Sequence, residues 1–223
     1  MISLRLMWRM LLRDWRAGEL TVLGVALVVA VAALTSVGFL ADRVERGLMQ
    51  QSHQLLGGDL LLTADHPWRD EIRDEARRAG LQLAESATFP SMVSTPQGAQ
   101  LAEIKAVTAN YPLRGRLRTA PRLNAADAEA PGVPAAGEVW LDERLTSALG
   151  MAPGTPLRLG ALDPVMTAVL TLEPDRGINA FALAPRLLMN FADLPASQLV
   201  QPGSRVSWRL HLAGEAKAVA AFA

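Results

Sequence analysis

The sequence predicts an α+β protein in which one long apolar helix precedes a domain built on a mixed β-sheet. Three observations carry that expectation. From Leu20 to Ala41 no residue is charged, and most are Leu, Val or Ala. From Asp59 to Val107 the pattern reads strand, helix, strand, strand, the order of a mixed sheet with helices on one face. Beyond Glu138, short strand-like runs dominate.

The apolar run is read as a transmembrane helix over 19–41. Its uncharged residues, 20–41, extend roughly 33 Å at about 1.5 Å per residue, enough for a hydrocarbon core of about 30 Å. A buried core helix is the competing reading, and the length of the uncharged run favours a span. The run is longer than the apolar core of a cleavable signal peptide, and no small-residue cleavage site follows it, so a retained anchor is expected. Arg5, Arg9, Arg13 and Arg16 precede it, whereas only Arg43 and Arg46 follow closely. The positive-inside rule then places the N-terminus in the cytoplasm and the remainder outside.

Residues 1–18 carry their own signal. Leu4, Trp8, Leu11 and Trp15 step by helical intervals onto one face, and the four arginines fall on a neighbouring face. Such a helix would lie at the membrane interface, with Trp8 and Trp15 at headgroup depth and the arginines toward anionic lipid. A merely basic flank is the alternative.

Past Ala41 the pattern stays helical but turns polar, with Val44, Leu48, Leu55 and Leu56 keeping helical spacing. Residues 42–58 are therefore read as a stalk helix continuous with the span and stopped by Gly57-Gly58, with Asp59 opening a first, buried strand. A short helix should follow, capped by Asp65 or His66, with Pro67 in its first turn and Gly80 as its stop. Residues 81–89, 91–95 and 99–107 read as strands, with a turn at 96–98.

Residues 59–118 thus form a first α/β part, and the Ala-, Pro- and Asp-rich stretch 119–137 a connection between subdomains. The second part, 138–223, is richer in strand. Glu138–Leu141 is a strand, Asp142 caps a helix ending at Gly150, and strands follow near 155–160, 165–173 and 204–213. Residues 215–223 read as a helix without a terminal cap, as if continuing.

The composition excludes more chemistry than it suggests. The 22 basic and 22 acidic residues cancel, so no global field draws the chain to nucleic acid. No cysteine is present, which removes disulfides, thiolate metal sites and a thiol nucleophile. His53, His66 and His211 are isolated and read as surface or capping residues, with no paired-histidine metal motif. Neither a G-x-S-x-G elbow nor a phosphate-binding P-loop occurs. Asp70, Glu71, Asp74 and Glu75, alternating with Arg69, Arg73, Arg77 and Arg78, read as a solvated helix face. Alternation of Arg114, Arg116 and Arg118, with Arg122 nearby, would set three guanidiniums on one strand face. That is either a site for a phosphate or an acidic partner surface, or a charged edge that resists aggregation. No catalytic, metal or cofactor-binding residue is assigned.

Several ordered stretches carry a family resemblance. They are the Arg- and Trp-bearing N-terminal helix, the first span, QLLGGDLLLTA at 54–64, VTANYPLRGRL at 107–117, EVWLDERLTSALGMAPGTPLRLG at 138–160, LEPDRG at 172–177 and LVQPGSRVSWRLHLAG at 199–214. Together they resemble the FtsX/MacB-like permeases of ABC transporters, most closely the YbbP-type permeases. The resemblance implies a MacB-like periplasmic domain on an inner-membrane permease with several spans, of which this chain would be an N-terminal fragment. It also implies a separate cytoplasmic ATPase subunit and contact with membrane lipid, with a periplasmic lipid hydrolase as a further partner. Transport in this class works by mechanotransmission: closure driven by ATP moves the periplasmic domains, which handle lipid or another hydrophobic molecule. The resemblance brings no catalytic motif and no cofactor. Two readings compete with it: a single-span anchored periplasmic ligand-binding or adaptor protein, and a membrane-anchored hydrolase.

Overall fold

Helix α1 runs from Glu19 to Leu56. The computed structural model describes Trp8, residues 19–176 and residues 184–223. Arg5, Arg9, Arg13, Trp15 and Arg16 lie outside the described residues; Trp8 is helical and exposed. The chain divides into two compact units, residues 1–50 and 51–223.

In the first unit the large apolar side chains described in α1 are exposed. Val22 is 71% and Leu34 75% exposed, and Val25, Val28, Val31, Val37 and Phe39 are exposed as well. The Thr35 hydroxyl donates to the Val31 carbonyl one turn back, so that polar group is satisfied within the helix. Among the described residues no helix is long and apolar enough to cross a membrane.

Among its described residues the second unit is built on a nine-stranded sheet, ordered β1-β9-β2-β3-β8-β6-β7-β4-β5. The strands are β1 Leu60–Ala64, β2 Gln82–Thr95, β3 Gly98–Val107, β4 Arg118–Ala120, β5 Ala128–Glu129, β6 Glu138–Asp142, β7 Val165–Leu172, β8 Arg186–Asn190 and β9 Ser207–Ala213. Helices α2 (Asp70–Arg78), α3 (Glu143–Leu149), α4 (Leu194–Ser197) and α5 (Ala216–Phe222) complete it. The fold is thus a sheet-rich mixed α+β arrangement. Pairing is antiparallel except for β3 with β8 and β6 with β7.

Strand alternation divides the interior in two. Ala87, Phe89, Ile104, Leu141, Leu187, Met189 and Trp208 point to one face, where Leu145 and Leu149 of α3 close an apolar core. Ala76 of α2 closes the neighbouring cluster over Leu210 and Leu212. The opposite face holds Ala84, Val107, Trp140, Leu170 and Leu188, covered by Tyr111 and Leu117 from the loop after β3. Helix α3 has a complete set of end signals: the Asp142 carboxylate accepts from the Leu145 amide, and Gly150 closes it in the left-handed conformation at φ 60°.

Several elements differ from their sequence reading. Helix α2 starts at Asp70 rather than near Pro67, and His66 is paired instead with the Asp65 carboxylate at 3.1 Å. Strand β1, expected to be buried, is an edge strand paired only with β9 and mostly half-buried. The two strands expected on either side of Pro90 are one, because β2 pairs with β9 only through Thr88. Pro90 lies past the end of β9 and before Ser94, where Arg158 bridges the same side of the strand, and a proline is tolerated at such a locally unpaired edge. Residues 119–137, read as a connection, contain most of β4 and all of β5, which extend the same sheet. Residues 155–160 form isolated bridges rather than a strand. Strand β8 was hidden in a proline-punctuated stretch; its alternating Arg186, Leu188 and Asn190 disguise a strand buried on both faces.

Candidate functional site

The end of helix α1 is fixed by a dense set of contacts within the second unit. Gly57 adopts φ 65°, which a side chain strains against, and follows directly on the last helical residue. Its carbonyl accepts from the Leu113 and Arg114 amides at 3.0 and 3.2 Å. Gly58 lies against β9 so closely that a Cβ would stand 3.0 Å from the Leu212 carbonyl oxygen. The Asp59 amide donates to that same carbonyl at 2.8 Å. The Asp59 carboxylate accepts from Arg114 Nε at 2.9 Å and from its terminal nitrogen at 2.8 Å, and from the Gly214 amide at 3.0 Å. The Gly-Gly-Asp stop is therefore a clasp joining α1, the loop after β3 and the end of β9.

Directly beneath it is a buried ionic network that the sequence did not reveal. A Cβ on Gly57 would meet His211 Nδ1 at 3.4 Å and Tyr111 Cε2 at 3.5 Å. His211 is fully buried, not superficial, with its Nε2 3.0 Å from the Ser86 hydroxyl and its ring edge-on to Tyr111 at 5.3 Å. The Tyr111 hydroxyl accepts from Lys105 Nζ at 2.8 Å and reaches Asp175 Oδ1 at 2.7 Å. Lys105, fully buried in β3, also donates to Glu173 at 2.7 Å and to Asp175 at 2.6 Å. Arg186 of β8 donates to both Glu173 oxygens and to Glu103, and Arg209 of β9 reaches Asp175 at 3.4 Å.

Three cations, Lys105, Arg186 and Arg209, thus face three carboxylates, Glu103, Glu173 and Asp175, all buried. Desolvation of six charges is tolerable only because each is paired and hydrogen-bonded. Burial alone would raise the Asp175 carboxyl, but the charges of Lys105 and His211 and the bonds from Lys105 and Tyr111 hold it below its usual range. Burial and the adjacent Asp175 charge push the Tyr111 hydroxyl well above its ordinary value.

Strand alternation explains how the chain assembles this. Glu103 and Lys105 occupy the β3 face opposite Ala102, Ile104 and Ala106, while Arg186 and Arg209 lie on the matching faces of β8 and β9. Glu173 and Asp175 arrive from the turn after β7, where Asp175 takes a left-handed conformation at φ 60°. The available signal was the charge inside an otherwise apolar strand: Lys105 is one of only two lysines in the chain.

The expected arginine face does not form. Arg114 and Arg116 lie in the loop before β4, and each of the three arginines has its own carboxylate: Asp59, Glu129 and Asp127 respectively. Hydrogen bonding from Arg118 holds the Asp127 carboxyl well below the usual range. Among the described residues each of these arginines is thus paired with a carboxylate of its own. On α2, Arg73 forms a two-bond pair with Glu85 and a third bond to Asp70, and Arg77 meets Asp74. Among the described residues no group of three or more His, Asp or Glu side chains is placed to hold a metal ion.

No protein-family model matches the chain. It is 37% identical over 203 residues to the uncharacterized ABC transporter permease YbbP of Escherichia coli (strain K12). That alignment takes in 91% of this chain and 24% of the relative, so the chain spans about a quarter of the relative's length. Among solved structures it is similar to the extracellular domain of the noncanonic ABC-type transporter YknZ from Gram-positive bacteria. There the identity is 11% and the TM-score 0.47, over 70% of this chain and 78% of that one. It is also similar to the periplasmic region of MacB from Actinobacillus actinomycetemcomitans, at 9% identity and a TM-score of 0.46, over 76% of this chain and 81% of that one. Over most of its length the chain is thus similar to one portion of an ABC transporter permease.

Proposed function

We propose that this chain is the force-transmitting part of an ABC transporter permease, joining a membrane span to an exported sheet domain. In this reading residues 20–41 cross the inner membrane with the N-terminus in the cytoplasm, and residues 51–223 lie in the periplasm. A separate cytoplasmic ATPase supplies the energy, and the exported domain handles a lipid-like or otherwise hydrophobic molecule, with a periplasmic lipid hydrolase as an associated partner. Trp8, Trp15 and the arginines at 5, 9, 13 and 16 would sit at the cytoplasmic interface.

The observation that carries the reading is the helix Glu19–Leu56, which joins the uncharged run to the clasp at Gly57, Gly58 and Asp59 without a break in its described backbone. An unbroken helix carries displacement along its axis, whereas a flexible linker would dissipate it. The exposed valines and leucines of α1 support a lipid environment, since bare apolar surface of that extent is unfavourable in water. Similarity to a permease favours this reading over an anchored ligand-binding or adaptor protein.

The topology is tested with a cysteine at Gly132, introduced into a chain that has none. It should react with an impermeant maleimide in intact spheroplasts. Labelling only after lysis would contradict the orientation. Copurification of the complete permease with a cytoplasmic ATPase tests the partnership, and its absence under native extraction would count against it.

A further inference from the structure

We propose that Tyr111 is a positioning residue that ties the stop of helix α1 to the buried ionic network, so that the network's integrity sets how firmly the helix end is held. The inference deepens the force-transmission reading and rests on it for its biological meaning, but its structural basis lies wholly within residues 51–223.

Two sides of one short segment carry the argument. Its backbone side holds the helix: the Leu113 and Arg114 amides both donate to the Gly57 carbonyl, and the Arg114 side chain grips Asp59. Its other side, two residues earlier, is the Tyr111 ring. Its hydroxyl sits between Lys105 and Asp175, and Lys105 Nζ lies 4.4 Å from the ring centroid. The same ring meets His211 edge-on, and His211 is held by Ser86 of β2. Both rings lie close to Gly57, so that a Cβ added there would be in van der Waals contact with each.

A displacement of the helix end must therefore move the 111–114 segment, and that segment is anchored to charges from β3, β9 and the turn after β7. Those charges resist movement because a buried ion that loses its partner is heavily penalised. The consequence is a stiff joint: the helix cannot tilt at Gly57 without disturbing the tyrosine hydroxyl.

Hydrogen exchange on the 223-residue chain in lipid nanodiscs tests this. Tyr111→Phe removes one hydroxyl and keeps the ring. It should raise exchange at the Asp59, Leu113 and Arg114 amides about tenfold, on the scale of one lost hydrogen bond to a charged group. Exchange at Leu141 and Leu187, in strands β6 and β8, should stay at the parent level. Ser86→Ala, which releases one bond of His211, is the second probe and should affect the same amides. Unchanged exchange at those amides in both variants would overturn the proposal, as would a uniform rise across the sheet. This outcome is separable from the function itself. A flexible insertion within α1 leaves the network intact, so its failure to impair transport would remove the mechanical reading while leaving the joint in place.

Discussion

Asp59 and Arg114, 55 residues apart in sequence, meet through two parallel bonds of 2.9 and 2.8 Å at the point where helix α1 gives way to the sheet. The pair is geometrically specific, since only a planar guanidinium presents two donors to one carboxylate in this way. It also leaves the carboxylate free to accept from the Gly214 amide. One acidic side chain thereby closes the junction of three segments.

Asp59→Ala should therefore destabilise the second unit by about 1–2 kcal/mol, toward the lower part of the range for bonds to charged groups. The discount reflects the Arg114 side chain, which is 40% exposed and can rehydrate. Arg114→Lys should recover little of the clasp, because an ammonium cannot make the paired contact. Urea unfolding followed by circular dichroism measures both; an Asp59→Ala midpoint equal to the parent's would contradict this role.

Lys105→Met should be far more damaging. It leaves Glu173 and Asp175 short of a cation in a site with no access to water. Breaking a buried pair from one side costs roughly 3–5 kcal/mol. The variant should unfold at markedly lower urea or fail to accumulate, and parental stability would show that the network carries no net energetic weight.

The same network should give the fold two pH limits. Asp175 has a depressed pKa when folded, so its contribution is present above its ordinary value of 3.8 and is lost as pH falls through the lower folded value. Tyr111 has a raised pKa, so its contribution is complete below pH 10.0 and is lost as pH rises toward the folded value. Stability measured across pH should fall at both ends. Tyr111→Phe should flatten the alkaline limb and, by removing one of the bonds that hold the Asp175 carboxyl down, also weaken the acid limb; an alkaline limb of unchanged slope would contradict the assignment.

Legibility in the sequence followed how local each signal is. The stop at Gly57-Gly58, the Asp142 cap and the Gly150 terminus depend on neighbouring residues, and each could be read directly. The turn at Pro96-Gln97 and the alternation of β3 were equally local. What could not be read depends on pairing between distant strands. The edge position of β1 follows from β9, some 150 residues later, and the tolerance of Pro90 follows from where β9 ends. The arginines at 114, 116 and 118 showed their charge but not their carboxylate partners, so they suggested a patch that the fold neutralises. His211 and Lys105 were missed for the converse reason: polar residues in strands suggest solvent, and only the covering loop at Tyr111 puts them in the interior.

Gly57 and Gly58 should differ in how they tolerate a side chain. Gly57→Ala incurs the left-handed backbone penalty, about 1 kcal/mol, with only ordinary contacts at its Cβ. Gly57→Asn should cost less, since asparagine visits that conformation more readily. Gly58→Ala instead presses on the Leu212 carbonyl and should loosen the first β1–β9 pairs. Amide exchange at Leu60 and Leu212 distinguishes the two; equal effects from both substitutions would contradict this division.

In the proposed function α1 transmits displacement between the membrane and the sheet domain. Its most direct test is a flexible glycine–serine segment inserted after Arg46 in the complete permease, together with the ATPase proposed as its partner. Membrane insertion, folding of residues 51–223 and ATP hydrolysis should persist, while transporter activity in cells falls sharply. Full activity at normal expression would show that the helix only tethers the domain, and the mechanical account would be wrong.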